Sequence, residues 1–535
     1  ERIATLLAGQ RAMGFEDMLI QMRAAVDVAH NPSAAGMIEA IRGQYPVALI
    51  DEFQDTDPLQ YAIFSAIYPL GDAAPASDEH AIVLIGDPKQ AIYSFRGADI
   101  HSYLTARRAT AGRHASLPRN FRSTEAMVGA VNHLFTLADQ HPDGAFRFPC
   151  DGGENPVPFM PVEAQGRETR LVDERLGELP ALTAWTTPSE ETWNAGYYVE
   201  QLAVRAAGEI ATMLNAGQAG RCGFEDVAGE RVGIQPRDIA VLVRTGDQGQ
   251  AMRQALTAFG VPAVFLSEKA SVFDSTEAAD MLVWLEALAD PSRSDRVRLA
   301  VSTASFALPL EELEAMLRDE GSFDAICQRF HEWHRVWQSQ GVLAAIMALL
   351  HHFAIPERML APTERDSRRG ERRLTNLLHL ADWLQQTDHD VDGETALIHR
   401  LHLAMTEGAA EQEIRLEQDS EMVRIVTIHS AKGLQYPVVF LPFAALIGRD
   451  DSSAASSGKG SGEIEPTRRH RHGQNVWDMR PDSTSRDRAA RESIAEELRL
   501  LYVALTRAEF ACYLGAGPVA VGTRDGHAVG EPLDI

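Results

Sequence analysis

Only four cysteines occur in 535 residues. Cys150, Cys222, Cys327 and Cys512 stand far apart and form no C-x-x-C pair, so neither a thiolate zinc site nor a disulfide framework is indicated. Cysteine usage of this kind fits a reducing cytoplasm. Long hydrophobic runs are missing as well. No apolar stretch approaches the roughly 20 residues that a membrane helix needs, and the sequence opens without a signal peptide. Positive charge is in short supply: 50 Lys and Arg against 76 Asp and Glu leave a formal charge of -26. That balance argues against nonspecific coating of nucleic acid, where phosphate neutralisation is the main attraction. A local basic channel stays compatible with it, because net charge governs solubility and steering rather than one groove. A phosphate-cradling G-x-x-x-x-G-K-[ST] loop is also absent. The first residue is Glu1, so the natural N-terminus is expected upstream.

What is present is an ordinary globular composition, 45% hydrophobic and 24% charged, with length for roughly three or four domains. Residues 1–45 have apolar positions at helical spacing around Phe15, Met18, Leu19 and Met22. Residues 46–115 contain two strand-like runs, Val47–Ile50 and Ala81–Ile85, with a helix near Tyr61–Ile67 between them. From 116 to 274 further α/β signals appear, notably Ile239–Val243 and Val261–Leu266. Residues 275–415 turn to Ala, Leu and charge at helical spacing, which predicts a helical insertion. Strand patterns return in 416–535, at Val423–Ile428 and Val438–Leu441. Residues 448–490 are rich in Ser, Gly and charge and read as a flexible loop. A last helix, about Ile494–Arg507, precedes a short strand near Cys512–Leu514. The predicted fold class is α/β: two α/β cores, the second interrupted by a mainly helical insertion domain.

The chemistry concentrates where strands end. Val47–Ile50, read as a buried parallel strand, runs into Asp51 and Glu52, and ligands of open α/β sheets bind at the carboxyl ends of such strands. Two carboxylates there suit phosphate chemistry, one holding Mg²⁺ and the next polarising water; an acidic turn is the bland alternative. Ala81–Ile85 runs into GDPKQAIYSFRGAD. Gln90 can sense a terminal phosphate, while Tyr93, Phe95 and Arg96 suit stacked bases of a single strand, or are core aromatics at strand spacing. In Asn120-Phe121-Arg122-Ser123 a guanidinium could meet a γ-phosphate and a ring could meet adenine. Val423–Ile428 leads into His429-Ser430-Ala431-Lys432-Gly433-Leu434-Gln435, where small residues bring backbone N–H groups near phosphates. The final helix ends in Arg507, either a transition-state finger or an arginine offsetting the helix C-terminus. Two tempting signals read blandly. His331-Glu332-Trp333-His334 has Arg335 where a zincin helix needs its second histidine, and Arg468–His472 reads as solvated loop.

Taken in order, LIDEFQDTDPLQ, LIGDPKQAIYSFRGADI, TIHSAKGLQYPVVFLPF and EELRLLYVALTRAE resemble motifs II to VI of superfamily 1 helicases of the UvrD/Rep type, and most of all the RecB-type group. Gln435 separates that group from UvrD-type relatives, which usually carry Glu there, and Gly370–Leu380 is similar to its insertion domain. The resemblance covers nearly the whole chain. It implies two RecA-like P-loop NTPase domains, the first incomplete because the phosphate loop lies upstream of Glu1, and a nuclease domain beyond Ile535. It implies ATP and Mg²⁺ as cofactors, with Asp51 on the metal and Glu52 as the base. Gln90, Arg122 and Arg507 are implied at the γ-phosphate, Phe121 on adenine and Gln435 at the nucleotide. Tyr93, Phe95, Arg96, Thr427, His429 and Lys432 are implied on the DNA side, coupling it to the nucleotide cleft. The expected activity is ATP-dependent 3′-to-5′ DNA translocation and unwinding, in a bacterial cytoplasmic heterotrimer with RecC- and RecD-like subunits that acts on DNA ends in double-strand break repair and homologous recombination. Residues 1–535 alone are expected to hydrolyse ATP poorly. The alternatives are a UvrD- or AddA-type repair helicase, and a catalytically inactive helicase fold serving as a DNA-binding scaffold.

Overall fold

The computed structural model describes residues 14–71, 80–148, 155–187, 193–266, 272–360, 367–388, 391, 393–407, 422–446, 467–471, 474–519, 523–524 and 527–528. It divides into two compact units, residues 1–266 with 419–535, and residues 267–418.

The first unit begins with helices over Phe15–Ala25 and Ala34–Gln44, then strand β1 (Val47–Ile50), helix α1 (Pro58–Ile67) and strand β2 (Ala81–Leu84). β1 and β2 pair in parallel, Val47 opposite Ala81 and Ile50 opposite Leu84. Bonds beyond the strands, Ile85 N–H to Ile50 O and Phe53 N–H to Ile85 O, both 2.8 Å, fix the exits of the two strands side by side. α1 starts where Asp57 accepts from Gln60 N–H at 2.8 Å and Gln60 Oε1 accepts from Asp57 N–H at 3.1 Å. This is a reciprocal capping box, with Pro58 in the first turn. Its inner side, Ile63 and Ile67, packs with Val26, Ile38 and Tyr68. The expectation of a fully buried first strand is corrected here. Val47 is 54% and Leu49 66% exposed, because among the described residues helices cover only the face that carries Ala48.

Helix α2 (Ile100–Ala109) follows, and after it the chain builds a six-stranded sheet from β3 (Leu182–Thr186), β4 (Ile239–Val243), β5 (Ala263–Leu266), β6 (Val423–Thr427), β7 (Tyr436–Leu441) and, further on, Ala508–Ala516. All the pairings are parallel, with β4 between β6 and β7. β4 is buried at every residue, as a strand covered on both faces should be. Val241 and Ile239 pack to one side with Ile425 and Phe440, and Ala240 and Leu242 to the other with Val426 and Val439.

Residues 467–490 depart from the expected loop. Strands β8 (Thr467–Arg471) and β9 (Gln474–Asp478) form an antiparallel hairpin, and helix α3 (Ser483–Leu505) follows, capped by Asp482, before strand β10 (Ala508–Ala516). The hairpin lacks an apolar stripe, so periodicity is silent about it. Polar partners hold it instead: His470 N–H donates to the Glu492 carboxylate at 3.1 and 3.3 Å. Residues 448–466 and 472–473 of the expected loop lie outside the described residues.

The second unit is helical, with eight α-helices among the described residues, from Thr276–Ala289 to Glu394–Glu407. Its core contains Trp284, Phe306, Phe330, Trp333 and Phe353, and Trp284 Nε1 donates to Thr303 Oγ1 at 2.8 Å. The helix Ser367–Asp388 approaches the chain at Met359 so closely that a Cβ on Gly370 would lie 1.7 Å from the Met359 carbonyl oxygen. Arg373 Nε and Asn376 Nδ2 both donate to Glu277, at 2.8 and 3.0 Å, satisfying a buried carboxylate. No described helix is long and apolar enough to cross a membrane.

Candidate active site

At the end of β1 the backbone turns at Glu52, which has φ 49° and ψ 37°. A non-glycine residue in the left-handed region costs of order 1–3 kcal/mol and persists only where its surroundings impose it. Here they do. Glu52 N–H donates to Asp51 Oδ1 at 2.8 Å, Gln54 Nε2 donates to Glu52 Oε2 at 2.5 Å, and Gln54 Oε1 accepts from Asp87 N–H at 2.9 Å. Gln54 is buried and ties the exit of β1 to the exit of β2. Gly86 is required beside it, since a Cβ there would stand 2.6 Å from Gln54 Oε1. Asp51 and Glu52 are exposed. Asp55, one turn on, is partly buried, and its Oδ1 has no hydrogen-bond partner. Burial raises the Asp55 pKa, against the opposing pull of Lys432. An open carboxylate pair at the end of a parallel strand suits a hydrated divalent cation.

The loop after β6 reaches this acidic turn. The Lys432 ammonium donates to Asp55 Oδ2 and to the Gln90 carbonyl at 2.9 Å, and lies 3.6 Å from Glu52 Oε2. An ammonium has three donors, and with its side chain only 5% exposed Lys432 bridges the two loops. This residue, expected on the DNA side, has its ammonium held at the acidic turn. Thr427 Oγ1 bonds Ser430 Oγ at 2.8 Å and shapes the same loop. Gln90 Nε2 donates to Asp87 at 3.2 Å, and Gln435 is exposed.

Next to the bridge lies an aromatic group. Tyr93 O–H donates to the His429 carbonyl at 2.9 Å, and the Phe95 ring meets His429 edge-on at 5.0 Å. Arg96 sits over both rings, 5.3 and 5.7 Å from their centroids. Phe95 is 57% exposed, so it is not a core aromatic. Two residues of α3 that the motifs did not flag anchor this segment. Ser94 Oγ donates to Glu496 at 2.6 Å, and Arg499 Nε donates to the Ala91 carbonyl at 2.8 Å. Burial of Arg499 lowers its pKa to about 10. Their spacing of three on one helix was the available signal.

Phe121, Arg122 and Arg507 gather at the start of β10. Ser123 Oγ donates to the Ala508 carbonyl at 2.9 Å, and Thr124 N–H to the Glu509 carbonyl at the same distance. Phe121 is 70% exposed. Arg507 is 2% exposed and turned inward, with Nε to Val503 O at 2.9 Å and its two amino groups to Leu434 O and Thr506 Oγ1, both at 3.1 Å. Burial, then the charge of Arg122, lowers its pKa to about 10, so it stays cationic at neutral pH. In this arrangement three of its five N–H donors answer helix and loop oxygens, and one on each amino group is left over.

The family model of the UvrD/REP helicase N-terminal domain matches residues 1–111, and that of the UvrD-like helicase C-terminal domain matches residues 224–516. The chain belongs to the UvrD-like helicase family. Among curated relatives of this UvrD-like chain is RecBCD enzyme subunit RecB of Escherichia coli (strain K12), 37% identical over 511 residues, covering 95% of this chain and 40% of the relative. Its counterpart in Haemophilus influenzae is 34% identical, covering 93% and 38%. That of Mycobacterium tuberculosis (strain ATCC 25618 / H37Rv) is 32% identical, covering 93% and 42%. The chain thus spans about two fifths of the length of these relatives. The fold is that of UvrD-like helicase domains: α/β, consistent with RecA-like domains, with a mainly helical unit inserted in the second.

Proposed function

We propose that the chain is the motor region of a RecB-like subunit, an ATP-dependent 3′-to-5′ DNA helicase and translocase within a RecBCD-type helicase–nuclease that processes double-strand breaks for homologous recombination. RecC- and RecD-like subunits and DNA ends are its partners, and its place is the bacterial cytoplasm, at the nucleoid. The observation that carries the reading is the Lys432 bridge, which joins the acidic turn to the loop that also holds Tyr93 through His429.

On this reading Glu52 orients and deprotonates water, its carboxylate aimed by Gln54. Asp51 would hold Mg²⁺, which when bound would neutralise charge on the phosphates. Gln90, Arg122 and Arg507 answer the γ-phosphate, Arg507 through the amino N–H groups that Leu434 and Thr506 leave over. Phe121 offers a face to adenine and Gln435 lines the nucleotide side. Tyr93, Phe95 and Arg96 take bases and backbone of a single strand, where stacking is worth about 1–3 kcal/mol per base. Thr427 and His429 shape the loop that reports strand contact to Lys432.

The test is Glu52→Gln in the complete subunit. The amide keeps a hydrogen-bond acceptor for Gln54 but cannot take a proton. Hydrolysis should fall by about 10²–10⁴, the usual worth of a general base, with ATP still bound. Turnover at the native rate would overturn the assignment.

A further inference from the structure

One cluster of metal-ligating side chains among the described residues lies outside the ATPase site: Asp99, His101 and His470. Asp99 ends the RGAD run and caps α2, its Oδ1 accepting from His101 N–H at 2.9 Å. His470 comes from β8, a segment far away in sequence, and its Nε2 lies 2.9 Å from the same Oδ1. The two imidazoles face each other, ring centroids 4.0 Å apart and planes inclined by 38°. One ligand atom of each residue lies within 4.8 Å of the other two.

A second observation points to a missing ligand. Asp99 is 2% exposed, yet its Oδ2 is buried with no hydrogen-bond partner, and His470 Nε2 is buried without a hydrogen bond of good geometry. Buried polar atoms in native proteins are almost always satisfied, and exceptions call for an unseen water or ion. An internal hydrogen bond alone would leave Oδ2 idle and press two imidazoles together beside it.

We propose that Asp99, His101 and His470 bind a divalent transition-metal ion of the zinc class, which staples the β8–β9 hairpin to the first turn of α2. Two imidazoles with one carboxylate suit zinc, whereas Mg²⁺ and Ca²⁺ select oxygen-only ligands. Donors at about 2.1 Å around a tetrahedral ion stand about 3.4 Å from one another, so the present cluster closes on an ion by side-chain shifts of about an ångström. Glu492 supplies the outer support typical of metal-bound histidine. Its carboxylate holds the His470 backbone N–H and faces Nδ1 at 4.0 Å, leaving Nε2 toward Asp99. The His331–His334 pair forms no such group: His331 Nδ1 lies 2.9 Å from the Cys327 carbonyl and His334 Nδ1 lies 2.7 Å from that of Leu288.

The experiment is titration of the chelator-stripped, dialysed full chain with Co²⁺, read by its visible ligand-field bands, followed by displacement with Zn²⁺. Thermal unfolding is recorded with and without Zn²⁺. His470→Gln and His101→Gln are compared with the native chain, and Asp99→Asn is added because asparagine preserves the helix cap. The proposal predicts one Co²⁺ per chain, affinity lowered at least about tenfold in each histidine variant, and a Zn²⁺-dependent rise in Tm that the variants lack. Should His470→Gln fail to fold, His101→Gln decides alone. Binding unchanged in the histidine variants, or no stoichiometric Co²⁺ binding by the folded native chain, overturns it.

Discussion

Glu52 shows what a single residue is asked to carry. Its left-handed backbone and the two-way grip of Gln54 put a carboxylate at the lip of a parallel pair. The acidic pair was legible in the sequence because an apolar run breaks off at two charges. Gln54 stood two residues away and went unread, since a buried amide has no periodic signature. The inward turn of Arg507 was equally hidden: a helix-terminal arginine looks the same in sequence whether it meets phosphate or its own carbonyls. Phe121 offers a clean test at this scale. Its ring is 70% exposed and supports no core, so Phe121→Ala should raise the KM for ATP in the complete subunit by roughly tenfold, within the usual worth of stacking on a base. Its kcat and Tm should stay near native. An unchanged KM would remove Phe121 from the nucleotide pocket.

Among the elements, legibility followed hydrophobic pattern. β4, apolar at every position and buried on both faces, was readable from five letters. α1 was seen only from Tyr61, because its first turn is built from the Asp57–Gln60 capping box rather than from apolar spacing. Asp57→Ala removes that box and should lower stability by about 0.5–2 kcal/mol, measured by denaturant unfolding. No change would mean that packing around Ile63 and Ile67 alone defines the helix. β8 and β9 escaped notice for the opposite reason: arginines and histidines without an apolar face look like loop until their acidic partners, Glu492 and Asp99, are in place. The beginning of α3 was hidden likewise, under Ser483–Arg491, where polar residues dominate.

Over the whole molecule, the α/β class and the helical insertion follow from composition shifts along the chain, and they agree with the UvrD-like family models. What composition could not convey is how the β1–β2 pair and the six-stranded sheet of the first unit are joined. The β1–β2 pair presents acids, the six-stranded sheet presents the 428–436 loop, and one ammonium joins them. Breaking that joint should separate two properties that a motor keeps together, turnover and its response to DNA. The direct measurement is ATP hydrolysis by the complete subunit carrying Lys432→Gln, with and without single-stranded DNA, alongside binding of each ligand by itself. ATP and DNA binding are predicted to persist within a few-fold, while DNA stimulation of hydrolysis is lost. Stimulation at the native level in Lys432→Gln would contradict the account.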